Sequence, residues 1–266
     1  MSNDAPIVLY HSPCIDGLTA AWVAKQRFPD AECIEAMHHK PVPVDLSGRR
    51  VYMLDFSYDR ATMLKLQAVA ASMIVLDHHK GAAEQLEGLP DCVFDMSRSG
   101  AGLAWDTFFP NVARPWLVDY VEDRDLWNWR LPRSKEVSAA LASFDLTFTT
   151  LDQFALSTVE QTATEGAAIL RYQEQVVSRA AKDARLIVFE GHEVFAVNSN
   201  TMVSELGHHL TKGRAFAVIW RQVGDSKYAY SLRSDEGGVN VSHIAQRYGG
   251  NGHPQAAGFS SDRLLF

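Results

Sequence analysis

Cysteine is scarce here. Cys14, Cys33 and Cys92 are odd in number and unrelated in spacing, which argues against a disulfide framework and for a reducing compartment. No stretch approaches the ~20 apolar residues that a membrane helix needs, and the first residues lack the basic and apolar regions of a signal peptide. The expected location is therefore the cytoplasm. Positive charge is in deficit too: a net charge of -7 argues against unspecific coating of nucleic acid and against long-duplex binding, both of which need a basic surface. A short nucleotide in a metal-lined cleft stays allowed, because the metal supplies the positive charge. There is no internal repeat and no low-complexity tract. What remains is a globular composition, 47% hydrophobic and 21% charged over 266 residues, enough for one large or two ordinary domains with apolar cores.

The organising stretch is Met73-Ile74-Val75-Leu76-Asp77-His78-His79-Lys80, an apolar run that ends in a carboxylate, two imidazoles and an ammonium. A run this short with β-branched members reads as a buried strand, and ligands gather at strand ends in α/β sheets. Two more strands end in similar chemistry. Ile7-Val8-Leu9-Tyr10 opens onto His11-Ser12-Pro13-Cys14-Ile15-Asp16-Gly17, and Val51-Tyr52-Met53-Leu54 ends on Asp55. Helical segments over 18–28 and 60–71, with a short strand over 33–36, complete an alternation of strand and helix. That alternation is the signature of a parallel sheet covered on both faces. In such a sheet the C-terminal strand ends share one edge, so His11, Asp16, Asp55, Asp77, His78 and His79 converge on one crevice.

Further on, helix is expected over 99–109 and, as one or two long helices forming a connector, over 153–182, while 116–129 holds Asp119, Glu122, Asp123 and Asp125 among apolar residues. A second unit starts near Arg185, with strands over 185–190, 194–198, 216–221 and 228–233 and a helix over 241–248. It closes on Gly249-Gly250-Asn251-Gly252-His253-Pro254-Gln255-Ala256-Ala257-Gly258, read as a backbone-exposing loop.

The carboxylate–imidazole set suits divalent cations: oxygen ligands favour hard ions, and imidazole suits Mn²⁺, Fe²⁺ or Zn²⁺. Such a set can place two ions ~3.5–4 Å apart, bridged by a carboxylate and by a hydroxide that attacks phosphorus in line. The plainer alternative is that Asp16 and Asp55 merely cap the helices that follow. The glycine-rich segment reads as a phosphate cradle of exposed amides with His253, or as a tight turn. Arg233 reads as a bidentate phosphate clamp or as a surface arginine. His38, His39, His192, His208 and His209 read as surface or helix-end residues. Trp105, Trp116, Trp127 and Trp129 read as core rather than base-stacking platforms. Nothing near Cys14 except a metal would lower its pKa, so it is not read as a redox nucleophile.

Asp77-His78-His79 after a strand, His11-x-x-x-x-Asp16-Gly17, Asp55, and the late Gly-Gly-x-Gly-His-x-x-Ala-Ala-Gly segment together resemble the DHH/DHHA1 phosphoesterases, which include RecJ-like exonucleases, nano-RNases and pAp phosphatases. The resemblance covers nearly the whole chain and is more specific for the family than for the substrate. It implies an N-terminal parallel-sheet domain with a two-Mn²⁺ site and a smaller mixed α/β domain supplying substrate contacts across a cleft. By position, His11 and Asp55 would hold one metal, and Asp16, Asp55 and His78 the second, with Asp55 bridging. A further aspartate falls at Asp123, with Asp125 the close competitor. His79 would contact the scissile phosphate while Asp77 orients an imidazole. Arg233 and His253 would bind substrate phosphate, and Gly250 and Gly252 would let it come close.

Two departures stand out. Cys14 occupies the place where the family usually has an aspartate. A thiolate suits Zn²⁺ or Fe²⁺ better than Mn²⁺, so the first site is weaker, altered or empty. Asn251 stands where another glycine is common, and either crowds the phosphate or adds a hydrogen bond to it. The expectation is a metal-binding catalytic domain over 1–150, a helical connector over 151–184 and a substrate-binding domain over 185–266. Its activity would be hydrolysis of small phosphate esters, short oligonucleotides or pAp-like nucleotides, with Mn²⁺ and with Mg²⁺, Fe²⁺ or Zn²⁺ as alternatives. The rivals are a degenerate nucleotide sensor and a polyphosphate or pyrophosphate hydrolase. The oligomeric state is open, a homodimer included.

Overall fold

The computed structural model describes residues 5–37 and 40–266, so His38 and His39 lie outside the described residues. The chain forms two compact units, 1–170 and 171–266. In the first, β1 (Ile7–His11), α1 (Ile15–Arg27), β2 (Glu32–Ala36), β3 (Arg50–Leu54), α2 (Arg60–Val69), β4 (Ser72–Asp77), α3 (Lys80–Gln85) and β5 (Cys92–Phe94) follow in order. The sheet runs β2-β1-β3-β4-β5 with every pair parallel.

Alternation within each strand explains why the apolar runs are continuous. Val8, Tyr10, Tyr52, Leu54 and Leu76 turn to one face and pack on α1, whereas Ile7, Leu9, Val51, Met53, Met73 and Val75 turn to the other and pack with Leu46, Phe56, Met63 and Leu86. A strand buried on both faces has no position left for an alternating polar residue. The first face is completed by α4 (Gly100–Phe108), α5 (Trp116–Asp125), α6 (Ser134–Leu141), α7 (Phe148–Leu156) and the start of α8 (Val159–Ala180). Gly166 lets α8 lie against α6, because a Cβ there would fall 1.7 Å from the Glu136 carbonyl oxygen.

From β1 the chain goes out to the edge strand β2 and returns on the other side of β1 as β3. The β1/β3 boundary is therefore the topological switch point, where the strand ends part and leave a crevice.

The second unit holds a six-stranded sheet. Its strands are β6 (Arg185–Phe189), β7 (His192–Asn198), β8 (Ala217–Val223), β9 (Lys227–Arg233), β10 (Asn251–His253) and β11 (Ala256–Ser261), with α9 (Val203–Leu210) and α10 (Val241–Arg247). The order is β10-β11-β9-β8-β7-β6, antiparallel except between β7 and β8, which α9 connects. One face packs on α10 through Val241, Ile244 and Ala245, and the other on α9 through Leu206 and Leu210.

The glycine-rich segment is a hairpin, not an open loop: Asn251, Gly252 and His253 pair with Gly258, Ala257 and Ala256. A Cβ on Gly250 would fall 2.1 Å from the Gly258 carbonyl oxygen, and one on Gly252 2.4 Å from the Ala257 Cα. The Gly250 N–H already donates to the Ala245 carbonyl. Close packing of the hairpin itself thus demands these glycines. Among the described residues, no helix is long and apolar enough to cross a membrane.

Candidate metal centre

The switch point sets the site. Asp55 follows β3 with φ of +63°, a left-handed conformation that aspartate tolerates better than most residues. Its N–H donates to the Leu76 carbonyl, which fixes the turn against β4. The carboxylate is buried, with Oδ1 3.1 Å from His78 Nε2 and Oδ2 3.4 Å from His11 Nδ1. His78 Nε2 also lies 3.5 Å from Asp125 Oδ2 and 3.9 Å from Asp16 Oδ2. One imidazole nitrogen is thus ringed by carboxylates from the end of β3, the start of α1 and the end of α5.

Asp16 is held from the far side. Its Oδ2 and Oδ1 accept the Gly100 and Ala101 N–H groups, 2.6 and 3.0 Å away, at the N-terminus of α4. Backbone donors and the positive end of the helix dipole favour its negative charge. Gly100 is required at that contact: a Cβ would sit 2.6 Å from the Asp55 Cβ and 2.9 Å from Asp16 Oδ2. Ser99 caps α4 through Gly102, and its own N–H donates to Glu122 Oε2 at 2.9 Å. Glu122 is in turn gripped by Arg114, which also bonds Asp106. No sequence signal short of the small-residue run at 99–102 pointed to Gly100, and none to Glu122.

Asp77 does a different job. It accepts the N–H groups of His78 and His79 at 2.7 and 3.1 Å, and its Oδ1 lies 2.7 Å from His79 Nδ1. That bond fixes the orientation of the His79 ring and leaves Nε2 as its presented nitrogen.

The electrostatics follow from crowding. Burial, then the charges of Asp55 and Asp125, push the Asp16 carboxyl well above the ordinary range. Burial also raises Asp125, with Asp55 adding to it against the pull of His78. For Asp55 burial acts upward, but hydrogen bonds from His11 and His78 outweigh it and its pKa falls. Burial likewise opposes charge on His78 and His79, yet the bond to Asp55 raises the first and the bond to Asp77 raises the second. The Cys14 thiol is raised by burial and then by Asp55, Asp16 and Asp125.

Carboxylates this close cannot all ionise without a cation, and the donors match one. The ligand atoms of His11, Cys14 and Asp55 lie within 4.8 Å of one another, as do those of Asp16, His78 and Asp125. Asp55, Asp77 and His79 form a third such group. The residues present therefore fit a divalent metal.

Several sequence expectations meet a different placement. Asp125, not Asp123, faces the cluster. The Asp123 carboxylate instead accepts the N–H groups of Arg130 and Leu131 at 2.9 and 3.3 Å, pinning the loop after α5. Trp105 is core and Trp116 packs against it, while Trp127 and Trp129 are not among the described members of the hydrophobic clusters. Both have left-handed backbone, φ +57° and +53°, a conformation that costs a bulky residue about 1–3 kcal/mol. In the second unit, Arg233 ends β9 with Nη2 3.0 Å from Ser204 Oγ and Nη1 donating to the Leu232 carbonyl. Gly207 makes room for that side chain, since a Cβ there would meet Arg233 Cγ at 2.5 Å. His253 lies half-buried on β10. His192 is half-buried against Phe216, while His208 and His209 are exposed on α9.

A parallel sheet covered on both faces, with buried aspartates and histidines at its carboxyl edge, defines an α/β protein with side-chain groups that could hold a metal ion. Residues 183–264 match the model of the DHHA1 domain. Uncharacterized protein R106 of Acanthamoeba polyphaga mimivirus is 28% identical over 287 residues, covering 97% of this chain and 68% of the viral protein. Oligoribonuclease NrnB of Bacillus subtilis is 25% identical over 209 residues, 70% of this chain but only 52% of that protein. The fold is shared with a pGpG-specific phosphodiesterase, PggH, of Vibrio cholerae (TM-score 0.54, 12% identity, 97% of this chain and 93% of that one). An exopolyphosphatase-related protein of Bacteroides fragilis is equally similar (TM-score 0.54, 12% identity, 99% and 88%). Together these findings support a DHH/DHHA1 phosphoesterase, with the family-model match itself confined to residues 183–264.

Proposed function

We propose that this protein hydrolyses phosphate esters of small substrates, short oligonucleotides or nucleotide phosphates of the pAp kind, with Mn²⁺ as its metal. The observation that carries the reading is Asp55, whose two oxygens face His11 on one side and His78 on the other. His11, Cys14 and Asp55 would hold one ion, and Asp16, Asp55, His78 and Asp125 a second. Divalent ions held by these residues would neutralise charge on the phosphate and lower the pKa of water toward neutrality. His79, its ring set by Asp77, donates to a phosphate oxygen as negative charge develops. Within the second unit, Arg233 and His253 would be the phosphate-binding residues. The acidic chain favours small substrates over long polymers. The DHHA1 match and the NrnB likeness support this reading.

Assay of a dinucleotide, pAp and a generic phosphodiester with added Mn²⁺ tests it. Turnover lost on chelation and in Asp55→Ala is expected; no turnover of any of the three would end the proposal.

Cys14 supports one second reading, a nucleotide sensor whose first metal site has lapsed. Metal content decides: two ions per chain favour the enzyme, and one or none with ligand binding intact favours the sensor. Under a weakened first site, Cys14→Asp raises Mn²⁺ affinity and activity. A polyphosphate or pyrophosphate hydrolase would use the same metal residues and differ only in substrate.

A further inference from the structure

Two residues past Asp125 the chain makes a turn that puts bulky residues in an unusual backbone conformation. Trp127 and Trp129 both adopt left-handed backbone, although neither is glycine nor asparagine. The turn is tied down by N–H groups of Trp127, Asn128 and Trp129 that donate to the Arg124 and Asp123 carbonyls. The two indoles meet edge to face with centroids 4.9 Å apart. The Arg124 guanidinium lies 4.5 Å from the Trp127 ring centroid and 5.5 Å from that of Trp129, and the Lys135 ammonium lies 5.7 Å from Trp129. Both indoles are half-buried. The turn starts from the helix end that places Asp125 Oδ2 3.5 Å from His78 Nε2.

Aromatic rings interleaved with guanidinium are the chemistry that stacks nucleobases without reading their sequence. Arg124 and Lys135 bring two cations to the rings, Arg124 between carboxylates of the same helix. We propose that Arg124, Trp127 and Trp129 form a seat for the substrate's nucleobase beside the metal centre. The substrate class is then a nucleotide rather than polyphosphate or pyrophosphate. The proposal rests on the phosphoesterase reading and adds to it the group that sets specificity.

The test compares adenosine 5′-monophosphate with ribose 5-phosphate, which lacks the base, for binding to the Mn²⁺-supplemented full chain. Stacking at about 1–3 kcal/mol per base gives the nucleotide roughly a 5- to 150-fold advantage. Trp127→Leu and Trp129→Leu should bring that ratio close to one while leaving ribose 5-phosphate affinity unchanged, and Trp127→Phe should keep most of it. Photolabelling of the unaltered protein with 8-azidoadenosine 5′-monophosphate, which needs no variant to fold, should mark the peptide holding Trp127 and Trp129. Equal binding of the two ligands by the unaltered protein, an unchanged ratio in the leucine variants, or label confined elsewhere overturns the seat and leaves the phosphoesterase reading standing. Failure to bind either phosphate overturns both.

Discussion

Alanine at Gly100 separates a helix effect from a site effect by the sign of the stability change. Gly100 opens α4 and is not among the residues with positive φ, so its backbone suits any side chain. On propensity alone, Gly100→Ala would stabilise by about 0.5–1 kcal/mol. The added Cβ, however, would lie 2.6 Å from the Asp55 Cβ, 2.9 Å from Asp16 Oδ2 and 3.0 Å from the Asp55 Cα. Two of these atoms are Asp55 Cα and Cβ, and the Asp16 carboxylate is pinned by two N–H groups, so helix and carboxylates must move apart; overpacking of this kind costs about 1–3 kcal/mol. The expected net loss of about 1–2 kcal/mol lowers the first unit's melting temperature by roughly 2–8 °C. Movement of the Gly100 N–H also loosens its 2.6 Å bond to Asp16, so Mn²⁺ affinity should fall about tenfold or more, a change of some 1.4 kcal/mol. Thermal unfolding and isothermal titration with Mn²⁺ read both. An alanine variant that melts at the same or a higher temperature and binds Mn²⁺ unchanged would refute the close approach of α4 to the two aspartates.

Four other outcomes follow from the geometry. Asp125→Asn should weaken Mn²⁺ binding with little change in melting temperature, while Asp123→Asn should lower melting temperature and spare Mn²⁺ binding; titration and unfolding of the pair check this. Glu122→Ala removes the acceptor of the Ser99 N–H and a partner of Arg114, so unfolding should show a loss of about 1.5–3 kcal/mol, as for hydrogen bonds to charged groups. Asp95 is held at about 2, against an ordinary 3.8, by Ser97 and then Arg98. A lowered carboxyl pKa adds stability above its unfolded value that is lost as pH falls through the folded one. Asp95→Asn should therefore melt below the unaltered protein at pH 6, and the gap should close between pH 4 and 2. Finally, Mn²⁺ at a hundredfold excess over its dissociation constant should stabilise the chain by about 2.7 kcal/mol, an upward shift in melting temperature abolished by chelator and by Asp55→Ala.

The central strands were legible because burial on both faces forces uninterrupted apolar runs, and each run points at its terminal Asp or His. Three helices that escaped a sequence reading share a cause. α6 and α9 start from Arg133 and Met202, both in left-handed backbone and without a side-chain cap, and α3 starts from His79, also uncapped. With no Ser, Thr, Asp or Asn at the N-cap, the ordinary start signal is missing. β5 is three residues long, too short for a period to register. The glycine-rich segment misled for a different reason. Glycine permits exposed backbone, but it is equally what two close strands require, and composition does not distinguish the two.

The choice between Asp123 and Asp125 was open to the sequence through helical phase. Two residues apart on one helix, their side chains point to nearly opposite sides. Val118 and Val121 in α5 are fully buried. At 3.6 residues per turn, Asp125 lies about 20–40° from them, and Asp123 about 160° from Val121. The apolar stripe that docks α5 thus carries Asp125 to the sheet edge and turns Asp123 away, toward the loop whose N–H groups it accepts. A motif comparison weighs both aspartates equally because it counts along the chain. The helix weighs them by angle, and the angle is fixed by which valines the core has taken.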